Sequence, residues 1–509
     1  GKLLCAHGPL NIQKKFCKGL AAAIFNDGSK VVLEEAENPY QMLDSNKVDV
    51  AVSIVRVAMD NDVYEKHTGK GYSYTYPYHY DGIRFGGESK FLNCTQRLDG
   101  FFGYCKGVRI CVRVQDDFNA VSEWYPSSMI KLVRNFSDFY ESFHTGKCNI
   151  LAGISVYISK EQLIEHTDDT SYESSYSTGD LLLSRQVSAV VTREDDSEWS
   201  DFVKWSLQAL VAAEERNITQ DNADMFGPID VFGSKYKNMF INIIKEIGNG
   251  GDLRIETTEI DINNELSHLN NGSTGLIYSL PFGEDVNAPL RQSPPNESPT
   301  MNKITFRKIL KCGVPTMVET ETWRELGKEY CRAIAAGLFG KNSNDMIQFE
   351  NIATEGEGFV KLYNDEVDLL VGSRVTLRAD VREKSTQKGF TFSLPYFYTD
   401  PKEGGDSPYG DSIALVTRED DPRWSDFVFW IVSATFYAEE KHITKNNSDE
   451  MPVVNLFGDA YGSMFENAIS IVGGYNEMFE NNVNISREKR NQLNNNPFTP
   501  QMNPDFLVD

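Results

Sequence analysis

"VTREDDSEWSDFVKWSLQALVAAEERNIT" (residues 191–219) and "VTREDDPRWSDFVFWIVSATFYAEEKHIT" (residues 416–444) are two versions of one segment in a chain of 509 residues. Each begins with an acidic run and continues with apolar residues at helical spacing, and acidic residues suit the positive end of a helix dipole. The apolar residues that recur in the first version are Trp199, Phe202, Val203, Trp205 and Leu210. This spacing predicts a long helix with one buried face in each version.

The repeat extends well beyond this helix. Four more segment pairs match: "GKLLCAHGP" (1–9) with "RKILKCGVP" (307–315), "FCKGLAAAIFND" (16–27) with "YCRAIAAGLFGK" (330–341), "LDSNKVDVAVS" (43–53) with "LYNDEVDLLVG" (362–372), and "YTYPYHYDG" (74–82) with "FTFSLPYFYTD" (390–400). In each copy, short runs rich in β-branched residues alternate with helical patterns, and an aromatic strand follows. This alternation is typical of an α/β fold with a parallel sheet.

The copies differ after the aromatic strand. The first has roughly 110 residues before "VTREDD", with an α/β pattern of their own ("GVRICVRV", "MIKLVRNF", "CNILAGIS" as strands). The second has only "PKEGGDSPYGDSIAL", whose Gly, Pro and Asp residues predict a loop. We therefore expect two lobes in the first copy and one in the second, joined by the Pro- and Asn-rich linker. The expected boundaries are 1–283 for the first domain (lobe one 1–86 and 187–283, lobe two 106–183), 284–304 for the linker, and 305–509 for the second domain.

The net charge of the chain is -24, which argues against a nucleic-acid or anionic-membrane partner because phosphates would be repelled. A hydrophobic content of 40% is enough for a sizeable core. The sequence contains no run of about 18 apolar residues, so it does not predict a membrane-spanning helix. The sequence begins at Gly1 without a signal peptide, which is expected of a mature chain whose targeting segment has been removed.

An even number of cysteines, 8, and several N-x-S/T sequons together favour a secreted, eukaryotic glycoprotein. The alternative is a bacterial periplasmic protein with accidental sequons. A further sequon at Asn296 is weakened by the Pro299 that follows it. The candidate glycosylation sites are Asn93, Asn135, Asn217, Asn271, Asn446 and Asn484.

The pattern "L-C-x-x-G", "F-C-K-G-L-A-A-A-I-F-N-D", "K-V-D-V", "Y-D-G", "I-C-V", "G-K-C" and "V-T-R-E-D-D-x-x-W-x-D-F-V" resembles the amino-acid type of extracellular solute-binding proteins of bacterial ABC importers. Their general L-amino-acid branch is the most similar. The resemblance covers residues 1–283 almost completely and 305–509 without the second lobe. It implies a tandem type II periplasmic-binding-protein fold, with the first copy bilobed, the second a single lobe, and a ligand clamped between two lobes by hinge closure.

The resemblance also implies disulfides. Equivalent bridges are expected in both copies, and another pair across lobe two. The remaining two cysteines would close the loop "CTQRLDGFFGYC", and free buried thiols are the alternative. The implied pairs are Cys5–Cys17, Cys312–Cys331, Cys111–Cys148 and Cys94–Cys105.

The family's ligand-binding residues are replaced at three places. The lobe-one arginine that holds the α-carboxylate has become Asn61 in the first copy and Asp380 in the second. Arg56 and Arg378 lie nearby in sequence, either reaching the cleft or serving as surface charges.

In lobe two, Gln115, Asp116 and Asp117 occupy the place of the family's Gly-Thr-Thr turn. Two carboxylates there suit a cation, or they cap the following helix. The family's amino-group Asp is replaced by a position within "GIS", which ends at Ser155.

No catalytic motif is present: there is no G-x-S-x-G, P-loop, H-E-x-x-H or C-x-x-C, so we expect no enzyme, cofactor or metal site. Two functions remain open. One is binding of a small polar solute, amino-acid-like or cationic, in the cleft of the first copy. The other is a structural or interaction glycoprotein, in a homo- or hetero-oligomer, that has lost its ligand. The candidate ligand-binding residues are Arg56, Tyr76, Tyr78, Tyr80, Gln115, Asp116, Asp117 and Ser155. The expected location is extracellular, or periplasmic in a bacterium.

Overall fold

A computed structural model describes residues 1–8, 11–36, 38–65, 67–96, 107–181, 183–255, 298–317, 320–399 and 411–483. These residues separate into two compact units. Unit 1 contains Gly1–Tyr76, Ala189–Leu253 and the described part of the second repeat, residues 298–483. Unit 2 contains Pro77–Ser188. The first repeat is thus divided between the units, and the second lies wholly in unit 1.

The elements up to residue 255 are β1 (Leu3–His7), α1 (Asn11–Phe25), β2 (Val31–Glu35), α2 (Pro39–Asp44), β3 (Val50–Arg56), α3 (Met59–Tyr64), β4 (Tyr72–Tyr74), β5 (His79–Glu88), α4 (Ser89–Thr95), β6 (Ile110–Val112), α5 (Gln115–Ser122), β7 (Ile130–Leu132), α6 (Phe136–His144), β8 (Ile150–Gly153), α7 (Lys160–Thr167), α8 (Tyr172–Ser175), β9 (Tyr176–Thr178), β10 (Ser184–Arg193), α9 (Ser197–Glu215), α10 (Met239–Ile247) and α11 (Gly250–Ile255).

The elements of the second repeat are α12 (Pro299–Arg307), β11 (Leu310–Pro315), α13 (Glu321–Phe339), β12 (Ile347–Ile352), α14 (Glu355–Tyr363), β13 (Leu369–Arg374), α15 (Leu377–Arg382), β14 (Phe390–Phe392), β15 (Phe397–Tyr398), β16 (Ser412–Arg418), α16 (Pro422–Glu440), α17 (Met464–Val472) and α18 (Tyr475–Asn482).

The expected mixed α/β architecture is confirmed, and unit 1 holds two sheets of matching strand order. The first runs β2-β1-β3-β10 with β4 paired to β10, and the second runs β12-β11-β13-β16-β14. Their registers also agree. Cys5 pairs with Leu33 and Val50 in the first sheet, and Cys312 pairs with Phe349 and Leu369 in the second.

Helices α9 and α16 contain the repeated segment that opens the sequence analysis, and each has 19 residues. An aspartate begins each helix: Asp196 accepts the backbone N–H of Trp199 at 3.1 Å, and Asp421 accepts that of Trp424 at 3.1 Å. Both tryptophans also donate their indole N–H to the carbonyl just before a strand, Trp199 to Asp49 before β3 at 2.9 Å and Trp424 to Asp368 before β13 at 3.0 Å. One local sequence therefore produces one local structure twice.

The two sheets of unit 1 are joined by a pair of matching hydrogen bonds. Trp205 on α9 donates its indole N–H to Asp380 on α15 at 2.6 Å, and Trp430 on α16 donates to Asp62 on α3 at 2.7 Å. The four residues are equivalent in pairs: Trp205 matches Trp430, and the alignment of α3 with α15 places Asp62 opposite Asp380, one residue away from the Asn61 that the sequence comparison had matched to it. The contact therefore has an approximate two-fold symmetry, as in an isologous dimer, but within one chain. We call these four residues the junction.

Unit 2 is a sheet in which β6 lies between β7 and β8 in parallel, and β5 pairs antiparallel with β8. Side chains alternate between its faces. On β6, Ile110 and Val112 join one buried cluster, whereas Cys111 joins another on the opposite face. Unit 2 thus has a core on each side of its sheet.

Part of the segment expected to be a linker is helical. Helix α12 begins at Pro299, inside residues 284–304, because Ser298 caps it by accepting the N–H of Met301 at 3.0 Å. Asp421 fixes this start by accepting from the Ser298 hydroxyl at 2.9 Å and the Thr300 N–H at 2.8 Å. The sequence did not predict this helix, because the segment has no hydrophobic periodicity and the start of the helix depends on a carboxylate distant in the chain.

Disulfides join Cys5 to Cys17, Cys111 to Cys148, and Cys312 to Cys331. Cys105 lies outside the described residues, so its pairing with Cys94 stays a prediction. Within the ranges given above, no helix is both long enough and apolar enough to cross a membrane.

Candidate functional site

The carboxyl ends of β6 and β8 meet at one edge of the unit 2 sheet, because the two strands are parallel. In open α/β sheets, ligands bind outside this edge. The chain that follows Val112 carries Arg113 and Asp117, and the chain that follows Gly153 carries Ser155 and Tyr157. The first half of β5 runs past the same edge with Asp81 and Arg84. We call these six residues the edge cluster.

Asp81 and Ser155 form the best-connected pair of the edge cluster. The Asp81 carboxylate accepts the hydroxyl of Ser155 at 2.7 Å, the backbone N–H of Ser155 at 3.0 Å and that of Gly82 at 2.8 Å. Both residues are buried. Asp81 therefore fixes the turn after β8 against β5, and the Ser155 hydroxyl donates to it.

Arg84 has the least satisfied side chain of the edge cluster. It is 3% exposed, yet neither Nε nor Nη2 has a hydrogen-bond acceptor among the described residues. Burial lowers the pKa of its guanidinium, which Asp81 and Asp180 oppose. A buried guanidinium with unmade hydrogen bonds is costly, so a further acceptor is expected beside it.

Gly153 lies on the strand next to Arg84. The two residues are directly paired across β5 and β8, and directly paired residues point to the same face of a sheet. A Cβ at Gly153 would lie 3.6 Å from Oδ2 of Asp117. The face beside Gly153 is therefore bounded by a cation, Arg84, and an anion, Asp117.

Arg113, Asp117 and Tyr157 form the other side of the edge cluster. The guanidinium carbon of Arg113 lies 4.7 Å from the centre of the Tyr157 ring. Burial raises the pKa of the Tyr157 hydroxyl, Arg113 lowers it and the charge of Asp117 raises it. Asp117 is only 4% exposed. The edge cluster thus contains buried groups of both signs, as recognition of a zwitterion requires.

The structure brings together only part of the predicted ligand set. Asp117 and Ser155 lie in the edge cluster. Gln115 is exposed at the start of α5 and donates to Asn119 at 2.9 Å. The side chains of Arg56, Tyr80 and Asp116 are not described. The N-cap of α5 is Val114, which makes no side-chain capping bond.

Tyr76 and Tyr78 fall in different units. The backbone N–H of Tyr78 donates to the carbonyl of Ser188 at 2.9 Å in unit 2. Tyr76 is in unit 1, where burial raises its pKa to about 12 with Lys204, Asp380 and Asp201 nearby. Tyr76 is thus a neighbour of the junction.

Sequence reasoning missed Asp81 and Arg84. Asp81 lies in the quoted segment "YHYDG", and Arg84 follows it by three residues. Both residues therefore lie in or next to a segment that the sequence analysis discussed. The usable signal was an arginine inside an otherwise apolar, Gly-rich strand, "DGIRFGG".

The equivalent edge of the second sheet in unit 1 has a small cavity. It is partly open to solvent, and the lining is mainly apolar, with residues such as Pro315, Ile352 and Leu370. Its one carboxylate, Glu355, is paired with the Arg374 guanidinium at 3.2 Å. This edge thus differs from the edge cluster, whose charges are largely buried.

In the part of the chain that is described, no group of three or more His, Cys, Asp or Glu residues could hold a metal ion. The charged and hydroxyl groups of the edge cluster can form hydrogen bonds and ion pairs.

Comparison with known proteins gives related sequences but no family profile that matches this chain. The putative amino-acid ABC transporter-binding protein YhdW of Escherichia coli K12 is 24% identical over 266 residues, covering 48% of this chain and 73% of that protein. The general L-amino acid-binding periplasmic protein AapJ of Rhizobium johnstonii is 24% identical over 218 residues, covering 41% of this chain and 59% of that protein.

Among solved structures, a periplasmic binding protein of an ABC transporter from Brucella ovis, with glutathione bound, has 21% sequence identity and a TM-score of 0.41. The match covers 50% of this chain and 86% of that protein. Over a little under half of its length, the chain is therefore similar in sequence to binding proteins of amino-acid ABC transporters.

Proposed function

We propose that the protein is a non-enzymatic, extracellular solute-binding protein that binds a small, amino-acid-like solute at the edge cluster of unit 2. Its first repeat would be a bilobed domain and its second a single lobe of the same fold. The relatives support the class of function, since they are named for binding amino acids. In a bacterium the corresponding location is the periplasm.

Arg84 is the observation that carries this proposal. The two atoms without an acceptor, Nε and Nη2, form one edge of the guanidinium. That edge donates two parallel N–H bonds, which match the two oxygens of a carboxylate. A bound carboxylate would provide both missing acceptors and neutralise the buried charge.

The carboxylates of the edge cluster support a zwitterion over a simple anion. Asp117 lies beside Gly153 on the face to which Arg84 points. A solute whose carboxylate binds Arg84 would bring an adjacent ammonium group toward Asp117. A purely cationic solute, the other class expected from Asp116 and Asp117, would leave Arg84 unpaired.

The test is a thermal-shift and calorimetric screen of the whole protein against L-amino acids, small carboxylates, polyamines and divalent cations. Ligands that bind only the folded state raise its melting temperature by mass action. We expect L-amino acids to raise it and polyamines not to. No shift with any amino acid or carboxylate would contradict the proposal.

Variants connect the ligand to Arg84. Arg84→Gln should weaken binding about 100-fold, because a charge-assisted bidentate contact is lost. Arg134→Gln is the matched control, since Arg134 is an exposed arginine elsewhere in unit 2. Equal weakening by both substitutions would point to a general charge effect.

The structural role is the second candidate, and the junction favours it for the second repeat. Trp205 and Trp430 are 1% and 0% exposed, and each is bonded to the opposite sheet. A repeat whose surface packs against the other sheet of unit 1 in this way can serve as a structural scaffold. If the screen finds no ligand and light scattering shows a stable oligomer at micromolar concentration, this role is favoured.

Glycosylation stays part of the proposal. Asn93, Asn135, Asn217 and Asn446 are exposed and so accessible to modification. Asn271 and Asn484 lie outside the described residues. Mass spectrometry of the protein from its natural source would detect the glycans, and unmodified asparagines throughout would contradict this part.

A further inference from the structure

Gly153 is a strand glycine that neither the backbone nor the packing of unit 2 requires. It is the last residue of β8, and its φ lies outside the left-handed region that favours glycine. A Cβ added at Gly153 would have no neighbouring atom closer than 3.6 Å, which is ordinary van der Waals contact. A glycine within a strand weakens the strand, and it often marks a place that a ligand approaches closely.

Two glycines on the neighbouring strand β5 are different in this respect. A Cβ added at Gly86 would collide with the hydroxyl of Tyr176. A Cβ added at Gly87 would lie 2.6 Å from the side chain of Ile150, which is closer than side-chain atoms approach each other. The packing of unit 2 therefore requires glycine at these two positions, whereas it would accept a larger residue at Gly153.

The space that a methyl group at Gly153 would fill lies on the charged face of the edge cluster. Arg84 is paired with Gly153 across β5 and β8, so both positions face the same side of the sheet. The atom nearest to the added Cβ would be Oδ2 of Asp117 at 3.6 Å, followed by Cγ2 of Ile158 at 3.7 Å. A solute group of about methyl size in this space would therefore contact a carboxylate oxygen and an apolar side chain.

An ammonium group has the size and the charge that suit this space. A charge-assisted N–H···O bond is about 2.8 Å long, so a bound ammonium nitrogen would lie slightly closer to Asp117 than the added carbon would. A carboxylate has lone-pair sites for about four hydrogen bonds, so Asp117 can accept from a solute in addition to its existing partners. Asp117 is 4% exposed, and such a bond is stronger inside the protein than in water.

We infer that Gly153 is a specificity-determining residue, which selects carboxylate solutes that carry an ammonium group over the same carboxylates without one. The absent side chain leaves the space in which the ammonium binds Asp117, while the solute carboxylate binds Arg84. Because Arg84 and Gly153 are directly paired, the two charged groups of the solute must lie close together, as they do in an α-amino acid. This inference rests on the proposed function, since it requires a solute carboxylate at Arg84.

Gly153→Ala should therefore change binding and leave the fold intact. The added methyl group would meet no atom closer than 3.6 Å, and alanine costs less conformational entropy than glycine in a strand. The melting temperature of the solute-free protein should thus be unchanged or higher. The methyl group would occupy the place of the solute ammonium, so we expect the affinity for an α-amino acid to fall about 30-fold, as expected for one lost hydrogen bond between charged groups.

Calorimetric titration of the whole protein with matched pairs of solutes tests this inference. The pairs are L-alanine with propanoate, L-leucine with 4-methylpentanoate, L-glutamate with glutarate, and L-lysine with 6-aminohexanoate. The members of each pair differ only in the α-ammonium group. Gly153→Ala should weaken binding of the amino acid about 30-fold and binding of its partner less than about threefold.

Two further variants locate the effect. Asp117→Asn should also lower the ratio of the two affinities within a pair, because the anionic acceptor of the ammonium is lost. Gly462→Ala is the matched control, since it adds the same methyl group in unit 1, where the nearest atom to the Cβ would be 3.4 Å away. It should change neither affinity.

An equal loss of affinity for both members of a pair would indicate a general structural effect and would overturn the inference. Full affinity of Gly153→Ala for the amino acid, or a clearly lower melting temperature, would do the same. Where a carboxylate binds too weakly to measure, a crystal structure with the amino acid decides: an ammonium nitrogen more than about 4 Å from Oδ2 of Asp117 overturns the inference. If the unaltered protein binds none of the four amino acids, the proposed function itself fails.

Discussion

Under the proposed function, ligand binding and stability place opposite requirements on one residue, Arg84. Its guanidinium is buried and two of its nitrogens have no acceptor among the described residues. Such a group weakens the unliganded fold, and it is kept where binding requires it. One variant can therefore measure both the effect of Arg84 on the free energy of unfolding and its contribution to ligand binding.

We expect Arg84→Met to raise the free energy of unfolding of the ligand-free protein by about 1 kcal/mol, because an unsatisfied buried group is removed. The same change should abolish amino-acid binding. Urea unfolding followed in unit 2, for example by hydrogen exchange of α6, measures the first effect. A loss of stability instead would mean that Arg84 is satisfied in the free protein.

Gly71 is a second residue whose identity is restricted by the atoms around it. Gly71→Ala would place a methyl group against Asp62 and Glu194, so we expect a loss of about 2 kcal/mol of stability. Gly462→Ala is the control, because the nearest atom to its Cβ would be 3.4 Å away. Similar chemical-denaturation midpoints for both variants would contradict the close contact.

At the scale of elements, α9 and α16 share one sequence pattern, but the capping aspartates of the two helices differ in burial and in the number of hydrogen bonds they accept. Asp196 caps α9 at an exposed position, whereas Asp421 caps α16 and is 2% exposed. Asp421 also accepts two bonds from the start of α12. Asp421 thus connects the starts of two helices, α16 and α12, whereas Asp196 caps one helix.

We therefore expect Asp421→Ala to cost about 3 kcal/mol and Asp196→Ala about 1 kcal/mol of unfolding free energy. Asp420→Ala, which removes an exposed partner of Arg418, should cost at most about 0.5 kcal/mol. Urea-denaturation curves of the three variants give the comparison. Equal costs for the two caps would show that the bonds to α12 add nothing.

At the scale of the whole molecule, the two repeats do not correspond to the two compact units. Unit 1 includes a sheet from each repeat, and the junction connects them through Trp205 and Trp430. A buried contact of this kind couples the unfolding of its two sides.

We expect two calorimetric unfolding transitions, one for each unit, and not three. Trp430→Phe, which leaves Asp62 without its indole donor, should split the unit 1 transition or lower its temperature. Trp199→Phe is the control, since its indole donates within the first repeat, to Asp49. Three transitions in the unaltered protein would contradict the coupling.

Much of the architecture could be read from the sequence because it depends on neighbouring residues. The alternation of strands and helices and the acidic starts of α9 and α16 are local patterns, and the repeat is found by comparing segments of the sequence. Helix α12 was missed since its cap is fixed by Asp421, far away in the chain. Asp81 and Arg84 were missed for the same reason: their importance depends on Ser155 and Gly153, which come close only in the folded sheet.

The sequence by itself determined that this chain is an α/β protein with two related parts, because hydrophobic periodicity and capping act over a few residues. Only the tertiary structure decided what the repeated helix packs against and which charges become buried together. Trp205 and Trp430 are both buried apolar positions in the sequence, but their partners Asp380 and Asp62 belong to the opposite repeat. Burial and electrostatics depend on distances in space, and these arise only when segments far apart in the chain meet.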